Sequence, residues 1–232
     1  MRALKQIWNT ERWLSPLLVI LVLTVFVLPP LLPGGALARR LFDVFLCAVL
    51  VTGAFAISGD RVKRIAMTAI AIAAVLIRLW DAVAPSNSLE LWVAASWVAS
   101  VGMLSLMVLA QVLASGPVTR YRIEGAIAVY LLLGLAWAGA FHFVTLLQPG
   151  AFAGVSVERG ALRDLLYYSY VTLTTVGYGD ITPVAPAARS LAMLEALTGQ
   201  LYPAILLARL VSLYSQPPDG GGSAGAGGSA VN

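Results

Sequence analysis

Long apolar runs separated by short polar stretches dominate the chain. A helix that crosses a bilayer core of about 30 Å takes roughly 20 residues, and five runs approach or reach that length. They cover about residues 13–32, 41–58, 65–86, 90–113 and 125–147. A sixth apolar run, 187–214, is interrupted by four polar or helix-perturbing residues: Glu195, Gly199, Gln200 and Pro203. We predict an all-α integral membrane protein with six transmembrane helices.

The composition supports a membrane protein and argues against other classes. Hydrophobic residues make up 59% of the chain and charged residues 11%, whereas a soluble domain has about 25% charged residues. The net charge of +4 does not indicate nucleic-acid binding, because the basic residues lie at the ends of apolar runs. The single cysteine, Cys47, excludes a disulfide within one chain. The sequence shows no nucleophile–base pair, metal-ligand cluster or nucleotide loop, so we expect neither an enzyme nor a cofactor.

The distribution of basic residues predicts the orientation in the membrane. If the N-terminus is cytoplasmic, the inner loops hold more arginine and lysine than the outer loops. This asymmetry favours a multi-pass protein of the cell membrane with both termini in the cytoplasm.

The segment between the fifth and sixth runs is the most informative part of the chain. Residues 161–174, "ALRDLLYYSYVTLT", would form a helix of about 20 Å, too short to span the membrane. The glycine-rich "TVGYG" that follows is not suited to a lipid-facing helix. Non-helical backbone is tolerated at membrane depth only where protein buries it or where it lines a watery path. We predict a re-entrant pore helix followed by an extended loop.

The string "TLTTVGYGD", residues 172–180, resembles the selectivity filter of tetrameric potassium channels. The resemblance covers roughly residues 125–214 and implies that Thr175, Val176, Gly177, Tyr178 and Gly179 form the filter. It further implies that the carbonyls of the first four residues, with the Thr175 hydroxyl, bind K+ as the permeant ion. One chain supplies one strand of such a filter, so the resemblance implies a homotetramer.

Residues beside the filter are expected to support it: Tyr167, Tyr168, Val171, Thr174 and Asp180. The resemblance implies that Tyr168 holds Tyr178 and that Tyr167 hydrogen-bonds Asp180, with plain packing of both tyrosines as the alternative. Some relatives have a glutamate at the position of Val171. Without that carboxylate, we expect altered slow closure of the filter.

The sixth run contains candidate gating and cavity residues. Gly199 lies at the spacing of the family's inner-helix hinge, and Pro203 removes a backbone hydrogen bond one turn later. Close approach of helices at Gly199 is the alternative. The resemblance also implies, by the spacing of the family, that three residues face the cavity: Gln200, Pro203 and Leu207. Glu195 is either a functional ionisable group or a protonated structural acid.

The first four helices lack the signature of a voltage sensor. The fourth run, 90–114, contains no lysine or arginine, so the membrane potential has no mobile charge on which to act. Arg78, with Asp81 three residues later, is interpreted as a structural pair. His142 is either a sensor of external pH or a packing residue.

These patterns divide the chain into five regions. They are a cytoplasmic N-terminus (1–12), a four-helix domain that does not sense voltage (13–114), a cytoplasmic linker (115–124), a pore domain (125–215) and a disordered tail (216–232). The predicted function is passive, potassium-selective conduction, with other copies of the chain and membrane lipids as partners. The alternatives are a non-conducting or modulatory channel subunit and a secondary potassium transporter.

Overall fold

The computed structural model describes residues 13–31, 36–56, 61–83, 87–114, 119–155 and 161–214. The first helix, α1 (Leu14–Val22), continues through a π-helical turn (Leu23–Val27) into α2 (Leu28–Leu31). The helices that follow are α3 (Ala36–Ala56), α4 (Arg61–Val83), α5 (Asn87–Val112), α6 (Arg120–Leu147), α7 (Ala161–Leu173) and α8 (Pro186–Tyr214). Two short strands, β1 (Phe152–Ala153) and β2 (Thr182–Pro183), pair antiparallel on either side of α7.

Four stretches within the described residues are long and apolar enough to cross a membrane. They are Leu14–Leu31, Leu89–Val112, Arg120–Leu147 and Pro186–Arg209. A shorter apolar stretch, Thr68–Arg78, lies within α4. The helices α3 and α4 occupy the positions of the second and third predicted spans. This largely helical, apolar architecture fits a multi-pass membrane channel.

The long helix α6 is the centre of the packing, because it lies against α1, α5, α7 and α8. It begins at Arg120, within the stretch predicted as a linker, where the Thr119 side chain accepts a hydrogen bond from the backbone N–H of Arg122. The predicted terminal regions, 1–12 and 216–232, lie outside the described residues.

Backbone carbonyls of α6 accept side-chain hydrogen bonds from three other helices. The donor–acceptor pairs are Trp97 to Leu135 (2.9 Å), Ser169 to Gly134 (2.8 Å), Tyr170 to Leu131 (2.5 Å) and Tyr202 to Ala126 (2.7 Å). A buried hydroxyl or indole N–H at membrane depth has no water to bind, so it must find a partner within the protein. These bonds fix α5, α7 and α8 around one helix.

An ion pair lies inside the four-helix region. The Arg78 guanidinium on α4 forms a salt bridge with Asp43 on α3 and lies 5.2 Å from the centre of the Trp97 ring on α5. The sequence had singled out Asp81 as the partner of Arg78. The structure shows that Arg78 binds a carboxylate on the neighbouring helix. The side chain of Asp81 lies outside the described residues, so the pairing of Arg78 with Asp81 stays a prediction.

Candidate functional site

The helix α7 ends directly before the predicted filter segment (residues 175–179). Asp164 lies in its first turn, where a negative charge complements the helix dipole. At the other end, the Thr174 hydroxyl donates to the Tyr170 carbonyl at 2.6 Å, and the Thr175 amide donates to the Thr172 carbonyl at 2.9 Å. The negative end of the helix dipole is therefore adjacent to the filter segment, where it favours a cation.

The backbone of the filter segment alternates between two conformations. Thr175, Gly177 and Gly179 have positive φ angles of 60°, 58° and 81°, whereas Val176 and Tyr178 between them do not. Alternation of this kind allows successive carbonyl groups to point to the same side. Glycine adopts such angles readily, but a β-branched threonine rarely does. The sequence predicted this freedom for the glycines only, and the strained conformation of Thr175 was missed.

The inner end of the filter segment is tied to α7. The amide groups of Val176 and Gly177 both donate to the Val171 carbonyl, at 3.0 and 3.2 Å. One carbonyl in the last turn of α7 thus holds two successive filter amides. Val171, predicted among the residues beside the filter and noted for its lack of a carboxylate, contributes here through its backbone carbonyl.

The outer end of the filter segment packs against the loop that follows α6. Gly154 has a φ of +85°, and a Cβ atom built there would lie 2.1 Å from the Asp180 carbonyl oxygen. The β1–β2 pairing, with Phe152 opposite Pro183, joins the same two loops. Tyr167 and Asp180 lie close enough for their side chains to interact electrostatically, and the hydrogen bond that the resemblance implies between them remains a prediction.

Tyr168 has the packed environment that was the alternative to holding Tyr178. Its ring lies edge-on to Phe141 and Phe152, with ring centres 5.1 and 5.3 Å apart. Phe141 and Phe152 also pack against each other. The Tyr178 side chain, in contrast, is 72% exposed in the single chain. Within one chain Tyr168 is a packing residue, and support of Tyr178 by Tyr168 would have to come from a neighbouring copy.

The inner helix α8 packs one face against the end of α7. Gly199 is buried against the Leu173 carbonyl, which also accepts a hydrogen bond from the Tyr130 hydroxyl at 3.2 Å. The helix continues without interruption past Gly199 and Pro203 to Tyr214. A role of either residue in a hinge remains a prediction.

A second face of α8 carries the residues predicted to line the cavity. Gln200, Pro203 and Leu207 are all exposed and recur at helical spacing. The Gln200 side-chain amide donates to the Thr175 hydroxyl at 3.0 Å. One predicted cavity residue therefore contacts the innermost residue of the filter segment.

Glu195 lies on the face of α8 that is turned towards α7 and is fully buried. Its carboxyl oxygen Oε1 lies 2.5 Å from the Ser169 hydroxyl. No local sequence pattern indicated a role for Ser169, Tyr130 or Gly154, because their importance depends on contacts between distant parts of the chain. His142 is half-buried near the end of α6, and its predicted sensitivity to pH remains a prediction.

Comparison with known proteins gives a family match that includes this region. Residues 127–216 match a family model described as "Ion channel", which covers less than half of the chain. Two pore potassium channel c of Oryza sativa subsp. japonica is 38% identical over 84 residues, which are 36% of this chain and 18% of that protein. The comparisons support a potassium channel.

Two further relatives give shorter matches. Protein LctB of Geobacillus stearothermophilus is 43% identical over 70 residues, or 30% of this chain and 50% of the relative. The inward rectifier potassium channel Kirbac3.1 of Paramagnetospirillum magnetotacticum is 32% identical over 65 residues, or 28% of this chain and 22% of the relative. The chain thus spans half or less of the length of these relatives, and no solved structure gives a significant match.

Proposed function

We propose that this chain forms a homotetrameric channel that conducts K+ selectively and passively across the cell membrane. The observation that carries the proposal is the alternation of φ at Thr175, Gly177 and Gly179, directly after the end of α7. A stack of carbonyl oxygens from these residues would replace the water shell of a dehydrated K+ ion. Thr175, Val176, Gly177 and Tyr178 would supply these oxygens.

Assembly of several copies is supported by the geometry of such a site, and the number four comes from the resemblance of the filter segment to tetrameric potassium channels. One strand offers oxygen ligands on one side of an ion only, so several strands must surround the axis. The filter residues are exposed in the single chain, with Val176 at 52% and Tyr178 at 72%. Burial of these side chains against neighbouring copies and membrane lipids would remove this apolar surface from water.

The remaining helices complete the proposed topology. We place six spans in the membrane, with both termini in the cytoplasm and α7 as a re-entrant pore helix. The fourth span, α5 (Asn87–Val112), contains no lysine or arginine. Because moved charge is what couples a helix to the membrane potential, at about 2.3 kcal/mol per charge and 100 mV, we expect conduction without steep voltage activation.

Purified protein in planar bilayers, under a potassium-against-sodium gradient, tests this function. We expect currents at voltage steps of both signs. Their reversal potential should lie near the potassium equilibrium potential. The matched variant Gly177→Ala should lose selectivity, because alanine disfavours the positive φ at this position. Reversal near zero for the unmodified protein would contradict potassium selectivity.

Native mass spectrometry after gentle extraction separates the remaining alternatives. If the mass corresponds to four copies but bilayer recordings show no current at any voltage, a modulatory subunit would be favoured over a conducting channel. Potassium transport without a four-fold assembly would favour a secondary transporter, which needs no such symmetry.

A further inference from the structure

We propose that Glu195 is protonated and, through Ser169, forms a hydrogen-bonded chain that joins α8, α7 and α6 behind the filter. Glu195 would thereby be a positioning residue that fixes the pore helix α7 relative to α8 and α6. The consequence for ion selectivity rests on the proposed function, whereas the hydrogen-bonded chain itself does not.

The Glu195 carboxyl group, the Ser169 hydroxyl and the Gly134 carbonyl follow one another at hydrogen-bonding distances. Glu195 and Ser169 are both fully buried. The Ser169 hydroxyl oxygen lies 2.5 Å from Glu195 Oε1 on α8 and 2.8 Å from the Gly134 carbonyl oxygen on α6. Both distances are those of hydrogen bonds between oxygen atoms.

The number of protons decides the charge of the carboxyl group. A serine hydroxyl has one proton to donate and two lone pairs that accept. If Glu195 were ionised, Ser169 could donate to only one of its two oxygen neighbours. The other contact would then place two lone pairs against each other. A proton on Glu195 Oε1 resolves this, since Glu195 donates to Ser169 and Ser169 donates to Gly134.

The surroundings of the carboxyl group favour the same neutral form. Glu195 Oε2 has no hydrogen-bond partner, and no basic side chain contacts this carboxyl group among the described residues. The titratable groups nearby are the phenols of Tyr130 on α6 and of Tyr168 and Tyr170 on α7. A buried carboxylate without a cation or sufficient donors is strongly disfavoured.

The hydrogen bonds between Glu195, Ser169 and Gly134 lie close to residues that contact the filter segment. Ser169 lies two residues before Val171, whose carbonyl holds the amides of Val176 and Gly177. Glu195 lies one turn before Gly199, which contacts the end of α7 at Leu173. Loss of these hydrogen bonds would let α7 move relative to α8. This movement would change the positions of the filter amides.

Infrared spectroscopy of the purified protein tests the protonation directly. In the difference spectrum between unmodified protein and Glu195→Gln, we expect a band of a protonated carboxyl group at neutral pH. A carboxylate band in its place would overturn the proposed protonation. This measurement needs no conduction, so it remains valid even if the proposed channel function fails.

Three variants test the positioning role in bilayers. Glutamine retains an N–H donor, so Glu195→Gln should keep the potassium-to-sodium permeability ratio of the unmodified protein. Glu195→Ala and Ser169→Ala should each lower this ratio about tenfold, the effect expected when a buried hydrogen-bond partner is lost. Equal ratios in all variants, or equal losses in the glutamine and alanine variants, would overturn the positioning role. Absence of selective current in the unmodified protein would refute the proposed function instead.

Discussion

Gly199 of the inner helix and Leu173 at the end of α7 are in direct backbone contact. A Cβ atom built on Gly199 would lie 1.9 Å from the Leu173 carbonyl oxygen, far inside van der Waals contact. The carbonyl of Leu173 at the end of α7 therefore contacts α8 at Gly199, where only glycine leaves enough space. This contact supports the interpretation of Gly199 as a site of close helix approach, and it provides a means to separate that role from a hinge.

Gly199→Ala should damage the filter itself. In an exposed helix interior, alanine is more favourable than glycine by about 1 kcal/mol, but here the methyl group would push Leu173 and the residues after it. We expect a lower melting temperature of the purified protein and a lower potassium-to-sodium permeability ratio. Both quantities are measurable on one preparation, by thermal unfolding and in bilayers.

Gly102 on α5 offers a matched control for this substitution. A Cβ atom built on Gly102 meets nothing within 4 Å, so Gly102→Ala should leave melting temperature and selectivity unchanged or slightly raise the former. If Gly199→Ala behaved like Gly102→Ala and altered only the open probability, a hinge would explain Gly199 better than close packing.

Gly154 should stabilise the outer end of the filter. A side chain there meets the Asp180 carbonyl at 2.1 Å, in addition to the positive φ of +85°. Gly154→Ala is expected to displace Asp180 and to accelerate the slow decay of current during long recordings. Gly150→Ala is the control, since Gly150 has a similar φ of +82° but open space around it. Equal decay rates in the two variants would assign the effect to backbone strain alone.

Gln200 should weaken cation binding at the innermost filter residue. Its side-chain amide donates to the Thr175 hydroxyl, and this bond occupies a lone pair that a cation would otherwise use. Since such a hydrogen bond contributes about 1 kcal/mol, Gln200→Leu should strengthen block by Ba2+ from the inner side by up to about fivefold. The dissociation constant of Ba2+ in bilayers measures the effect.

Leu207 lies on the same face of α8 and supplies the control for Gln200. Leu207 lies seven residues, or about two helical turns, after Gln200, so Leu207→Ala should leave the Ba2+ dissociation constant unchanged. Weaker block in Gln200→Leu, or an equal change in both variants, would show that the hydrogen bond to Thr175 does not govern the site.

Local patterns were sufficient to predict the helices α7 and α8. The prediction of a short helix over 161–174 agrees with α7 (Ala161–Leu173), and the inner run 187–214 agrees with α8 (Pro186–Tyr214). Both follow from the lengths of apolar sequence, and the glycine-rich stretch after residue 174 favours the end of the first of these helices. The resemblance in "TLTTVGYGD" then indicated the position of the filter segment.

Contacts between distant residues were beyond such patterns. Arg78 binds Asp43 because α3 and α4 lie side by side, and the spacing of residues along the chain gives no sign of this contact. Tyr168 packs into an aromatic cluster with Phe141 and Phe152, which requires three segments of the chain to meet. The positive φ of Thr175 also escaped prediction, since a β-branched residue gives no local sign of it.

Trp97 connects the four-helix region to the pore region and should contribute strongly to stability. Its indole is 2% exposed, donates to the Leu135 carbonyl at 2.9 Å and fills the space left by Gly139, where a Cβ atom would lie 2.5 Å from the ring. Trp97→Ala should therefore lower the free energy of unfolding by about 3 kcal/mol or more. Reversible unfolding in mixed detergent micelles measures this loss.

Trp92 on the same helix allows the effect of position to be separated from that of residue type. It is 67% exposed in the single chain, so Trp92→Ala should change the free energy of unfolding by only about 0.5 kcal/mol. A small loss for Trp97→Ala would mean that α5 is not fixed to α6 through this indole. A large loss without any change in selectivity would mean that the four-helix region stabilises the protein but does not shape the filter.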